Sequence, residues 1–341
     1  MHKKQYIILF TFIAGILACN KDMIDAVITF TSPKHFPTPV YNFSNNQITK
    51  AKFELGRKLF YDPILSADNT ISCGSCHIQT SAFTHHGHTV SHGIKDRLGT
   101  RNSPPIMNMA WNTSFMWDGG IVDLDLLPIA PITNHVEMDD NMPNVLEKLR
   151  KSSIYPGLFK KAFGSETITG NDFLKALSQF MLMCVSANSK YDSVQQNLAS
   201  FTTEEKIGYT IFTQKCGTCH KEPLFTDFSF RNNGLAPSLV NDLGRYPITN
   251  QPTDQYRFKV PSLRNLSFTA PFMHDGRFFT IDAVLDHYSN GMVVLPNLDP
   301  SFQQGNQLGI PLTTQEKTAL KAFLKTLDDR SFLLNSMLSE Q

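Results

Sequence analysis

The sequence predicts a mainly α protein made of two small helical domains. Three observations predict it. The pentapeptide Cys73-Gly74-Ser75-Cys76-His77 returns 143 residues later as Cys216-Gly217-Thr218-Cys219-His220. Apolar residues fall at helical spacing around both copies. No run of alternating strands is evident. C-x-x-C-H is the attachment pattern of a c-type haem. Each thiol adds to one vinyl group of the porphyrin, and the two intervening residues set the span. The adjacent histidine stands under the ring and ligates iron. Cys73, Cys76 and His77 are therefore expected to hold one haem, and Cys216, Cys219 and His220 a second. The competing readings are zinc knuckles and a redox dithiol. Zinc uses the histidines only optionally, and the dithiol needs a βαβ context that is absent.

The elements follow in order. Residues 1–19 read as an export signal. Lys3 and Lys4 precede an apolar run, residues 6–18, that is too short to span a bilayer. The run ends at Ala18-Cys19, which resembles a lipoprotein box, although Leu17 departs from the usual pattern. Lipidation of Cys19 is the preferred reading, with plain cleavage near Ala18 or an uncleaved anchor as alternatives. The folded part is expected outside the cytoplasm, in the periplasm, where haem c is attached. Residues 20–45, with Pro33, Pro37 and Pro39, read as a linker. Residues 46–190 form the first haem domain and residues 191–341 the second.

Helices are expected before each motif, at about 170–189 and at about 313–328. Phe173, Ala176, Leu177, Phe180, Met181 and Cys184 make one apolar stripe; Leu320, Phe323, Leu324 and Leu327 make another. Thr202-x-x-Glu205 and Thr313-x-x-Glu316 are capping boxes. Residues 101–105 and 295–300 read as loops. Weak repeats flank the motifs: Gly56 and Gly208 before them, Phe83-Thr84 and Phe225-Thr226 after them. A helical domain this small can use the apolar faces of its haem as core. The net charge of +1 and the lack of a basic stripe argue against nucleic acid as a partner. Four of the 6 cysteines go to haem and Cys19 to lipid, which leaves Cys184 as a buried spectator.

Several stretches then carry a resemblance. They include Leu55-Gly56-Arg57-Lys58-Leu59-Phe60-Tyr61-Asp62-Pro63, Arg101-Asn102-Ser103-Pro104 and Phe115-Met116-Trp117-Asp118-Gly119. Val136-Glu137-Met138, Pro261-Ser262-Leu263-Arg264-Asn265 and Thr269-Ala270-Pro271-Phe272-Met273-His274-Asp275-Gly276 continue the series. In this order around two C-x-x-C-H sites, the chain resembles the bacterial di-haem cytochrome c peroxidases, MauG-like branch included, from Phe53 to Leu327.

The resemblance implies two cytochrome c-like domains with unequal tasks. The haem on His77 would react with hydrogen peroxide, and the haem on His220 would take in electrons. Glu137 matches the acid/base that moves a proton between the peroxide oxygens. Trp117 matches the tryptophan between the haems. His92 lies near the position of a distal histidine that closes the first haem at rest, with His85, His86 and His88 as neighbours. The alternative is a first haem that stays five-coordinate, as in the MauG-like branch. The peroxidases place a methionine over the second haem; here the count falls on Tyr288, which matches the MauG-like branch. Met273 and Met292 are the methionine alternatives, and His287 is adjacent. A calcium ion is implied between the domains, on the Asn102 side chain and the carbonyls of Thr269 and Pro271. The implied electron donor is a small cytochrome c, a cupredoxin or a quinol pathway, and the implied assembly is a homodimer. The competing activities are a MauG-like oxidase of a protein or organic substrate and a non-enzymatic electron carrier.

Overall fold

A computed structural model describes residues 28–341. The export signal and Cys19 lie outside the described residues. Among those described, no helix is long and apolar enough to cross a membrane.

The protein is mainly helical, as expected. The longer helices are α1 (Lys50–Tyr61), α2 (Met142–Lys151), α3 (Tyr155–Phe163), α4 (Gly170–Met183), α5 (Thr203–Lys215) and α6 (Thr314–Lys325). Strand is confined to two-residue pairs, β1 (Phe230–Arg231) with β2 (Phe258–Lys259) and β3 (Gln303–Gln304) with β4 (Gln307–Leu308), both antiparallel. The Thr202 and Thr313 capping boxes form, each threonine hydroxyl accepting the amide of the glutamate three residues on. The 170–189 stretch is helical only to Met183. The chain then runs extended through Cys184 before a short helix, Lys190–Gln195.

Two helix crossings organise the two halves. α1 packs on α4, and α5 packs on α6. At each crossing a glycine lets two backbones touch. A methyl group on Gly56 would overlap the Ala176 carbonyl, and one on Gly208 would overlap the Ala319 carbonyl. The weak repeat of Gly56 and Gly208 therefore marks the same contact made twice. Phe53, Phe60, Phe173 and Phe180 fill the first crossing and Phe212 and Phe323 the second, all at most 1% exposed. Each such ring contributes roughly 1.5–3 kcal/mol by leaving water.

Residues 28–45 do not hang free as a linker would. Phe30 and Phe36 pack on Trp111, whose indole N–H donates to the Pro37 carbonyl at 2.7 Å. Proline supplies an extended path, and the aromatic rings bind that path to the first core. His35 Nε2 reaches the Asp192 carboxylate at 2.8 Å. Asp192 also takes a fork of two bonds, 2.9 and 2.7 Å, from the fully buried Arg264 guanidinium. A further seam joins the halves where Asn265 Nδ2 donates to Ser186 and the Asp329 carboxylate accepts the amides of Ala187 and Asn188. Past Asp329 the chain returns to the first half. Phe332 and Leu338 enter its core, and the Tyr61 hydroxyl donates to the Leu338 carbonyl at 2.7 Å.

Candidate functional site

Both C-x-x-C-H segments sit at the end of a helix crossing, on the wall of a cavity. Cys73 and Cys76 lie on one helical turn, Cys73–Cys76, held at its start by reciprocal Ser72–Ser75 bonds. Cys216 caps the C-terminus of α5. Burial pushes the Cys73 and Cys216 thiols up to about 12 and Cys76 to about 11, so all three stay protonated. None of the four motif cysteines is in a disulfide.

The histidines are set the same way twice. His77 Nδ1 lies 2.8 Å from the Phe83 carbonyl, and His220 Nδ1 lies 3.1 Å from the Phe225 carbonyl and 3.2 Å from that of Pro261. A carbonyl only accepts, so Nδ1 carries the proton and Nε2 keeps its lone pair for a metal. Burial lowers both imidazole pKa values, which favours the neutral ligand form. The Phe83-Thr84 and Phe225-Thr226 repeats thereby gain a physical meaning. Phe83 and Phe225 both take positive φ, +59° and +57°, which turns their carbonyls toward the histidines. That conformation is costly for a bulky residue, and each half retains it.

A cavity of about 460 Å³ opens over Cys73, Cys76 and His77, and one of about 420 Å³ over Cys216, Cys219 and His220. Paired thiols and a neutral, oriented imidazole on the wall of a deep cavity fit a covalently held haem c in each half. When bound, the haems would supply redox-active iron. Trp117 lines both cavities, with Asn102, Pro105 and Lys259. Its indole N–H donates to the Asn102 carbonyl at 2.8 Å.

The two cavities differ in their acids. Three carboxylates line the first: Asp118, Glu137 and Asp242. Arg101 takes two of them, Asp118 at 2.5 Å and Asp242 through a fork of 2.6 and 2.8 Å. Glu137 has no cation; its Oε1 accepts from Asn134 Nδ2 at 2.9 Å. Burial raises its pKa above the usual glutamate value, against the lowering effect of that bond. A carboxyl tuned upward and free of a counter-ion is better suited than an ordinary glutamate both to take and to return a proton. No aspartate or glutamate is among the described residues lining the second cavity.

That cavity instead receives Tyr288 and Met273. Asn233 Nδ2 reaches both, at 3.4 Å from the Tyr288 hydroxyl and 3.7 Å from the Met273 sulfur. Burial pushes the Tyr288 phenol up to about 12, with the Asn233 bond acting the other way. Met292 and His287 are buried but do not line the cavity; His287 Nε2 pairs with the Asn233 carbonyl at 3.1 Å.

His92 lines the first cavity. Its Nε2 meets His88 Nδ1 at 3.1 Å, and His88 stacks on His85 with centroids 4.1 Å apart. His86 is exposed and outside this stack. Asn102, Thr269 and Pro271 share the wall of the second cavity. Asn102 Nδ2 donates to the carbonyls of His88 and Thr89, both at 3.1 Å, which turns that amide nitrogen away from any cation and leaves Oδ1 as its acceptor. Among the described residues no group of three or more His, Cys, Asp or Glu is arranged to hold a metal ion. A hard cation here would rely on neutral oxygens and water.

Sequence reasoning passed over Asn134, Asn233, the Arg101 clamp and Lys259. The first two are lone amides with no pattern to betray them. Arg101 and Asp242 are 141 residues apart.

Two helical halves, each presenting a haem c cradle and sharing a tryptophan, define a di-haem c-type oxidoreductase. The family model described as "Di-haem cytochrome c peroxidase" matches residues 50–200. The methylamine utilization protein MauG of Methylorubrum extorquens is 35% identical over 91% of this chain and 86% of its own length. The cytochrome c551 peroxidase of Nitrosomonas europaea is 31% identical over 80% of this chain and 79% of its own length. A solved MauG-like protein associated with microbial copper homeostasis superposes with a TM-score of 0.82 at 32% identity, covering 92% of this chain and 99% of that one. The chain belongs to the di-haem cytochrome c peroxidase family.

Proposed function

We propose that the protein reduces hydrogen peroxide to water at the His77 haem, with electrons entering at the His220 haem. Residues 46–190 would be the reacting half and residues 191–341 the electron-entry half. The observation that carries this reading is Glu137, among the described residues the one carboxylate lining the first cavity that no cation holds. Overall, peroxide takes two electrons and two protons and gives two waters. Glu137 takes a proton from the near oxygen and returns it to the leaving oxygen, so hydroxide need not be expelled. Trp117 supplies a π-system between the halves. Calcium on Asn102 Oδ1 and the carbonyls of Thr269 and Pro271 would brace the wall they share. Export to the periplasm, an anchor on Cys19, a small cytochrome c, cupredoxin or quinol donor, and a homodimer complete the proposal.

The test is steady-state oxidation of reduced cytochrome c by peroxide, together with single-turnover reaction of the pre-reduced protein. Turnover that collapses in Glu137→Gln supports the reading. A pre-reduced protein that leaves peroxide untouched would sink it.

Tyr288 at the second cavity favours a second reading, a MauG-like oxidase of a protein or organic substrate. A phenolate ligand favours ferric iron, which suits an oxidase better than an electron port. Fast reaction of the fully oxidised protein with peroxide, without pre-reduction, would select that reading. If His92 closes the first haem at rest, the oxidised protein reacts slowly and Tyr288 loses its argument.

A further inference from the structure

Lys259 is placed where no lone cation should rest. It ends β2 and lines both cavities. Its amide donates to the Trp117 carbonyl at 2.8 Å, so its backbone is tied to the residue between the two halves. Its ammonium donates to the Ser114 carbonyl at 2.7 Å and lies 5.9 Å from the centre of the Phe115 ring. Among the described residues no carboxylate pairs with it. Asp118 acts on it from a distance but is already held by Arg101 at 2.5 Å. Burial lowers its pKa to about 8, so it is still mostly charged at neutral pH.

A half-buried ammonium with one carbonyl and one ring for partners is incompletely compensated. An anion in the cavities it faces would offset part of that cost. The group that the two C-x-x-C-H cradles fit brings such anions, because each haem c carries two propionate carboxylates. Among the described residues no other lysine or arginine lines both cavities. Arg101, which lines the first, is saturated by Asp118 and Asp242.

We propose that Lys259 is the counter-ion for haem propionate at the boundary of the two cavities, and that its charge raises the reduction potentials of both haems together. The inference rests on the di-haem reading of the two cradles but not on the peroxidase reaction. Reduction adds a negative charge to each haem, and a nearby fixed positive charge favours that step. A lysine on one wall of two cavities would act on both at once. It is a positioning and tuning residue, with no bond to a reacting atom.

The test uses holoprotein carrying Lys259→Gln, Lys259→Met or Lys259→Arg. Haem content is first measured as pyridine haemochrome, and both potentials are then read by spectroelectrochemical titration. Gln can still donate to the Ser114 carbonyl but has no charge. The expected result is a fall in both potentials in Gln and Met, about tenfold in each one-electron equilibrium, or ~59 mV. Arg, which keeps the charge, should restore at least half of that. Unchanged potentials in a fully loaded Gln or Met variant would overturn the proposal, as would a shift at one haem only. An equal fall in Arg, or loss of haem in all three variants, would assign Lys259 to packing instead and overturn it as well. Peroxide turnover is not part of the readout, so failure of the activity assignment leaves this result interpretable.

Discussion

The two halves share a scaffold and differ in what faces their cavities. In both, two helices cross at a glycine, a C-x-x-C-H follows, and a left-handed phenylalanine orients the histidine. The first cavity then adds Glu137, and the second adds Tyr288 and Met273. The haem cradle is thus a property of the repeated scaffold, while the two cavities are set apart by a few unrepeated side chains.

The sharpest way to break that comparison is Glu137→Gln. If the first cavity alone does acid/base work, peroxide turnover should fall by about 10²- to 10⁴-fold. The haem spectra and the second potential should stay as they were. A turnover equal to wild type would remove the distinction between the cavities.

The next largest effect concerns the scaffold. Gly56→Leu and Gly208→Leu should each cost about 3 kcal/mol, because the added side chain meets a backbone carbonyl that cannot rotate away. Thermal melts followed at the haem band should show the loss. The Gly208 variant should release the second half first, because its core is the smaller one. Matched melting of both halves in both variants would mean that the seam through Arg264 and Asp329 unites them.

If Tyr288 is the distal ligand proposed for the second haem, the halves should differ spectroscopically. Tyr288→Met should raise the potential of the second haem, since a methionine axial ligand favours the reduced state. The first haem should show an unchanged electron paramagnetic resonance signal. A change confined to the first haem would put Tyr288 outside the second ligand sphere.

The smallest effect is a limb of the pH profile. Burial raises the Glu137 pKa, so its base form is lost as pH falls through a value above the ordinary glutamate range. Turnover should decline on that acid side, and Glu137→Gln should abolish the limb along with most of the rate. A limb that persists in the variant belongs to another group.

Much of this was legible beforehand. The helices around residues 170, 203 and 314 formed where periodicity and capping boxes put them, and the helix at residue 50 lies before the first motif as expected. The weak repeats at Gly56/Gly208 and Phe83/Phe225 were visible without a cause, because their partners are carbonyls, which leave no mark in a sequence. Residues 20–45 read as a linker, and the described part of that stretch packs on the first core. Proline spacing reports backbone stiffness but not the Trp111 ring against which that backbone would be laid.

By itself, the sequence determined what is local: covalent haem sites within five residues, helix starts within four, and apolar faces within a few turns. These follow from chain geometry alone. Only the tertiary structure decided which carboxylates Arg101 removes from use, that Asn233 meets both Tyr288 and Met273, and that Lys259 stands at both cavities without an acid. Each of those depends on segments far apart in the chain and on how charge is shared once water has been excluded. Pairing of that kind has no periodicity to read.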